Sequence, residues 1–193
     1  FDVPVNAAHC VHLSPAEIDI LAERGVGVVT NHSSNLKLGA GIALIPELLA
    51  AGAVIGLGTD GTASNNNLDV LEEVRLVALL HKGLRRDATV ISAYDALEMA
   101  TAGGAQAMGL TDVGRLKPGY RADVICVDLT APHLCPGHNV VGDLAYAAQS
   151  GDVTTTIVEG EVLMRDRQVV SVDQAEVVAK AREAAMALVG RAG

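Results

Sequence analysis

The stretch VIGLGTDGTASNNN, Val54 to Asn67, decides how the rest of the chain is read. Its first five residues are apolar or glycine, the texture of a strand buried on both faces. They run into Asp60 and then into a loop of Gly, Thr, Ser and Asn. Asp before Gly commonly serves as a turn or cap residue. A carboxylate at the end of a buried strand can equally be a functional group at the mouth of an α/β sheet.

Upstream, VPVNAAHC reads as a strand ending near His9, and SPAEIDILAERG as a helix. Ser14 is its N-cap, Pro15 its first residue, Glu17 the partner in a capping box and Gly25 the stop. VGVVT, Val26 to Thr30, gives the next strand. NHSSNLKLGAG is expected to be a polar loop, and a short helix then runs from about Pro46 to Ala51 and stops at Gly52. After the quoted stretch a longer helix is expected from about Leu68 to Lys82. Val70, Leu71, Val74, Val77, Ala78 and Leu80 follow helical spacing, which leaves Glu72, Glu73 and Arg75 for the solvent side.

Three consecutive βα units predict a parallel sheet covered by helices, either doubly wound or the last part of an eight-stranded barrel. Helical segments continue through SAYDALEMATAGGAQAMG, whose small residues suit close packing. From GRLKPGYRADVICVDL the texture changes: Lys117-Pro118-Gly119 is turn chemistry and ADVICVDL a strand. DVTTTIVEGEVLMRDRQVV gives two β-rich runs around Glu159-Gly160, a turn near Arg165-Asp166 and a last short strand. A terminal helix is expected from about Asp173 to Val189, with Asp173 and Glu176 repeating the capping pattern. The expected division is therefore a barrel-like part over 1–112, a small β part over 113–172 and the helix over 173–193.

Composition narrows the function. Aromatic residues are 2% of the 193, with no Trp and one Phe, so the core must be built from Ala, Val, Leu and Ile. That scarcity leaves no stacking platform for single-stranded nucleic acid, and a net charge of -9 repels phosphate backbones. No apolar run approaches the roughly 20 residues that cross a bilayer. Cys10, Cys126 and Cys135 stand in no CxxC spacing, so a reducing, cytoplasmic setting is expected rather than a disulfide framework. The chain opens FDVPVNAAHC, without Met and within a strand-like run, which reads as the C-terminal part of a longer protein.

In parallel α/β folds the site lies at the C-terminal ends of the strands. His9, Asn31 with His32, and Asp60 occupy those ends on the three strands, and are expected to face one mouth. Carboxylate and imidazole are ligands suited to Zn²⁺ or Fe²⁺, and a carboxylate beside a metal-bound water can take its proton. The alternatives stay open at this level: His9 can be a satisfied core histidine, and GTASNNN a plain loop. His12 is expected to face solvent or support His9, and His81 to lie near a helix C-terminus, where a partly charged ring interacts well with the dipole. His133 and His138, in APHLCPGH, are given a structural role.

AHCVHL, SNLKLGAGI, LGTDGTASNNNLDVLEEVRLVALLHK, GRLKPGYRADVICVDL and VEGEVLMRDRQVV together resemble, in order and spacing, the C-terminal part of the amidohydrolase superfamily. The likeness is greatest to its 5-methylthioadenosine/S-adenosylhomocysteine deaminases and the related chlorohydrolases, and it covers nearly the whole chain. It implies a metal-dependent TIM (β/α)8 barrel, here about strands 6 to 8, plus part of a small β-sandwich.

By the resemblance, Asp60 is a metal ligand and a base toward the attacking water. His9 lies beside the metal and stabilises the substrate at the attacked carbon, and both touch substrate. Ser64 and Asn65 line the mouth as further substrate-binding residues. The implied cofactor is a divalent metal, zinc first and iron second. The implied reaction is hydrolytic deamination of an aminopurine nucleoside in the cytoplasm, without nucleic-acid or membrane partners. A guanine- or triazine-type aminohydrolase or chlorohydrolase, or an inactive fragment, are the other readings.

Two departures stand out: Thr30 and His32 replace a His and a Pro common in the family's second loop. The family's HxH, its further metal-binding His and the Glu of its HxxE are expected upstream of Phe1. Three strands taken from a closed barrel leave edges and an apolar face exposed, so self-association into a homo-oligomer is expected.

Overall fold

A computed structural model describes residues 2–192. The expected strand character of Phe1, and the last residue of the expected terminal segment, Gly193, lie outside them. The chain forms two compact units, one of 1–120 with 129–152 and one of 121–128 with 153–193.

The first unit is built on three parallel strands in the order β1 (Asn6–Ala8), β2 (Gly27–Thr30) and β3 (Val54–Leu57). Between them run α1 (Pro15–Glu23), α2 (His32–Lys37) and α3 (Ile45–Ala50). After β3 come α4 (Thr62–Asn65), α5 (Val70–Arg85), α6 (Ala93–Ala100) and α7 (Ala102–Ala107). Both expected α1 capping contacts form: Glu17 N–H donates to Ser14 Oγ at 3.4 Å and Ser14 N–H to Glu17 Oε2 at 2.7 Å. Gly25 follows in the left-handed region at φ 62°.

The core is the aliphatic one that the composition demands, with Met99 added. Val28 of β2, Ile45 and Leu48 of α3, and Val74, Val77 and Ala78 of α5 are all fully buried. Each such Val, Ile or Leu side chain contributes about 1.5–3 kcal/mol on leaving water. Among the described residues β1 and β3 each pair on one side only, with β2 between them.

Small residues let α7 approach the sheet closely. A Cβ added at Gly27 would lie 2.8 Å from Ala107 Cα, and one at Gly56 would lie 3.0 Å from Gly104 Cα. Thr101, at φ -123° and ψ -96°, breaks the helical run into α6 and α7, so α7 turns against β2 and β3.

In two places the fold departs from the expectation. NHSSNLKLGAG is not a loop throughout, because His32–Lys37 form α2, with Asn35 N–H donating to Asn31 O at 2.9 Å. The segment 129–152, expected in the small β part, clusters with the first unit. It carries α8 (Val140–Tyr146), started by Asn139, whose Oδ1 accepts from Gly142 N–H at 3.0 Å. Ala145 of α8 is buried in the main core.

The second unit is an antiparallel sheet ordered β4 (Val124–Val127), β5 (Val153–Val158), β6 (Glu161–Arg165) and β7 (Gln168–Val169), followed by α9 (Gln174–Ala192). Its hairpin turns fall where the sequence places them. Glu159 and Gly160 have φ of 50° and 83°, and Asp166 and Arg167 have φ of 48° and 62°, the successive positive values of primed turns. Glu176 N–H donates to Asp173 Oδ1 at 3.0 Å, as the capping pattern predicts.

Filling the closest approach tests the packing. Gly27→Ala drives a methyl into the Ala107 backbone and is expected to cost about 1–3 kcal/mol, read as a lowered urea midpoint at unchanged slope. Gly83→Ala, where a Cβ meets nothing within 4 Å, should not lower it.

Candidate active site

The parallel register brings three chain segments out of the sheet at one edge. Ala8 pairs with Val29, and Thr30 with Leu57. The ladder continues one step further, with His9 N–H donating to Val29 O at 2.8 Å and Gly58 N–H to Thr30 O at 3.0 Å. His9 and Asp60 therefore leave the C-terminal ends of β1 and β3, on either side of β2.

Their side chains converge. His9 Nε2 lies 3.9 Å from Asp60 Oδ2, with the two side chains 42% and 34% exposed. Both residues are in the left-handed backbone region, His9 at φ 67° and Asp60 at φ 59°. Non-glycine residues held there are uncommon and concentrate at functional sites. Gly58 makes room beside them: a Cβ there would meet Asn31 Nδ2 at 2.7 Å. Gly61 is not crowded and instead starts α4.

Asp60 is not a local turn residue alone. Its Oδ2 accepts from Ser34 Oγ of α2 at 2.7 Å and from Ser64 Oγ of α4 at 2.6 Å. Its Oδ1 accepts from Gly61 N–H at 2.8 Å. The Ser64 hydroxyl first, then the Ser34 hydroxyl and the Gly61 amide, hold the carboxyl down at about 2, and His9 adds a smaller pull. Asp60 is therefore ionised across the physiological range. His9 Nδ1 lies 2.8 Å from Asn35 Oδ1, so the protonated Nδ1 donates there and Nε2 stays on the Asp60 side.

The sequence-based candidates separate. His9, Asp60 and Ser64 come together. Asn65 turns inward, 9% exposed, donating from Nδ2 to Thr59 O at 2.8 Å and to Glu73 Oε1 at 3.4 Å. His32 does not face the mouth: it is 1% exposed, with Nε2 3.2 Å from His81 Nε2. His81 does lie near a helix C-terminus, four residues before the end of α5, but it is buried, and burial holds both rings near a pKa of about 4 rather than partly charged. Glu73, expected in solvent, is fully buried. His12 is exposed, and His133 Nε2 lies 2.8 Å from Asp152 Oδ2, a structural pairing. Ser34 and Asn35 were not singled out as site residues. The signal available for them was their place four and five residues past the end of β2.

Asp60 suits a divalent cation: an ionised oxygen donor, part-exposed, with an imidazole nitrogen beside it. Among the described residues no three His, Cys, Asp or Glu side chains cluster as a metal-holding group. These residues thus fit a share of a metal's coordination, not the whole.

Comparison with known proteins identifies the family. The amidohydrolase family model matches residues 2–163, and the chain belongs to the amidohydrolase family. It is 54% identical over 191 residues to a 5-methylthioadenosine/S-adenosylhomocysteine deaminase of Pelotomaculum thermopropionicum, spanning 99% of this chain and 44% of that protein. A protein of the same name from Desulforamulus reducens is 52% identical over 192 residues, spanning 99% and 44%. This chain thus spans less than half the length of these relatives. Among solved structures, a zinc-bound adenosine deaminase from Xanthomonas campestris superposes with a TM-score of 0.90 at 42% identity, covering 92% of this chain and 41% of the other. The atrazine chlorohydrolase TrzN of Arthrobacter aurescens, complexed with zinc, gives 0.85 at 34% identity, covering 91% and 39%. No described helix is long and apolar enough to cross a membrane.

The hydroxyl grip on Asp60 predicts a titration. Ser64→Ala and Ser34→Ala should each move the Asp60 carboxyl from about 2 toward its ordinary 3.8, read by carbon-13 NMR against pH. Because the folded value is the depressed one, stability from this group is present above the ordinary value and lost as pH falls toward 2. An unshifted Asp60 in both variants would contradict the grip.

Proposed function

We propose that this chain is the C-terminal part of a zinc-dependent aminohydrolase that deaminates an aminopurine nucleoside such as 5-methylthioadenosine or S-adenosylhomocysteine. The observation that carries the reading is the meeting of His9 and the hydroxyl-held Asp60, 3.9 Å apart, from the C-terminal ends of the two parallel strands that flank β2. The identity to deaminase-named relatives favours this substrate class over a triazine. On this reading β1 to β3 are about strands 6 to 8 of a (β/α)8 barrel and β4 to β7 part of its small β-sandwich. The protein works in the cytoplasm.

Asp60 would hold the zinc, with the other ligands coming from a longer chain. When bound, zinc supplies Lewis acidity that makes water a nucleophile near neutral pH. The attacking water adds to C6 of the adenine-type ring and gives its proton to the Asp60 carboxylate. His9 Nε2, 3.9 Å from Asp60 Oδ2, is placed to receive that proton in turn. As an N–H, Nε2 then faces charge developing on the ring, while Asn35 fixes the imidazole through Nδ1. The proton passes to the leaving nitrogen, the C6–N bond breaks and ammonia departs. Ser64 lines the mouth beside Asp60; Asn65 shapes it from behind, through its bond to Thr59 O.

In the longer enzyme, Asp60→Ala is expected to lower ammonia release from 5-methylthioadenosine by about 1,000-fold or more, the scale of losing a central charge-handling group. Chloride release from a triazine with no ammonia from any adenosine analogue would overturn the substrate class. The one-sided pairing of β1 and β3 also favours self-association of the chain as given. A light-scattering mass of one chain would contradict that.

A further inference from the structure

Glu73 is 0% exposed, in the first turn of α5 beside Val74 and Val77, and the chemistry above does not use it. Among the described residues no Lys or Arg pairs with it. A buried carboxylate without a cation is costly unless donors surround it. Burial pushes its pKa up, and hydrogen bonds from Ser33 and the His32 amide pull it back.

The donors come from two separate segments. Ser33 N–H lies 3.3 Å from both carboxylate oxygens, and Asn65 Nδ2 donates to Oε1 at 3.4 Å. His32 Nδ1 stands 4.0 Å from Oε2, and its Nε2 meets His81 Nε2 at 3.2 Å with the rings at 80°. Each neutral imidazole has one N–H. The arrangement without facing lone pairs runs His81 Nε2–H to His32 Nε2, with His32 Nδ1–H toward Glu73.

Ser33 directly precedes Ser34 and lies two residues before Asn35; Asn65 directly follows Ser64. Ser34 and Ser64 are the two hydroxyls on Asp60, and Asn35 orients His9. The helices carrying them cannot hold themselves: α2 has six residues and no side-chain cap, and α4 has four.

We propose that Glu73 is a positioning residue that locks α2 and α4 onto α5, and so sets Ser34, Ser64 and Asn35 against Asp60 and His9. This rests on the aminohydrolase reading of Asp60 and His9. Glu73 touches no reacting atom and acts through the segments it joins.

The test is a double-mutant cycle in the longer enzyme, with amide exchange on the 193-residue chain. Glu73→Gln is expected to lower kcat about 10- to 100-fold with little change in KM, the scale of a misplaced catalytic group. In a Ser34→Ala background the same substitution should cost much less, because the group it positions is already gone. Exchange should quicken over 32–35 and 62–65 while Val74, Val77 and Ala78 keep their protection.

Unchanged kcat, independent effects of the two substitutions, or exchange rising evenly across α5 and the sheet would each overturn the proposal. Should Glu73→Gln not fold, Asn65→Ala paired with Ser64→Ala reads the same connection. Coupling there supports it and independence overturns it. Asp60→Asn separates the two readings: retained activity sinks the site assignment itself. A dead Asp60→Asn beside a fully active Glu73→Gln sinks only the role of Glu73.

Discussion

The site depends on one constraint, the parallel register of three short strands. With Ala8 level with Val29 and Thr30 level with Leu57, the chain must leave β1 and β3 on either side of the same β2 end. A slip of one residue would turn the strands' buried faces outward and carry His9 away from Asp60. The register is protected by the close approach of α7, which tolerates no side chain at Gly27. Packing on the far side of the sheet thus has direct consequences for chemistry at its edge.

Polar groups do at the edge what apolar groups do in the core. Asp60 accepts bonds from two helices and its own loop, and His9 donates to a second residue of α2, Asn35. Both are held in unfavourable left-handed conformations that isolated turns would relax. Beneath this layer lies a second, fully buried one of Glu73, His32 and His81. Electrostatics there works without a Lys or Arg partner: the Glu73 carboxylate takes backbone and amide donors, and the two neutral rings meet each other.

Much of this was legible in the sequence, because its signals were local. Capping of α1, the strand ends at His9 and Asp60, and both hairpin turns of the second unit follow from residue types a few positions apart. What escaped depended on distant contacts. NHSSNLKLGAG looks like a loop by composition, and only its neighbours make His32–Lys37 helical. His32 was grouped with the mouth from its place after β2, yet it turns into the interior. Apolar spacing alone leaves Glu73 for solvent, although it lies four residues before Val77 and eight before His81 on one helical face. Its burial needed a polar partner from another segment, which periodicity cannot supply. The return of 129–152 to the first unit is hidden for the same reason, since APHLCPGH lies between the β-rich runs and carries no periodic apolar signal of its own.

The left-handed backbone at Asp60 subjects that codon to two independent filters. On the proposed role one is chemical, for an ionised oxygen; the other is conformational, for a residue that bears positive φ, which favours Asn and Gly and rejects β-branched side chains. Glutamate, the obvious chemical substitute, meets the first and strains against the second. Drift at this position should therefore be narrower than its part-exposed surroundings would suggest.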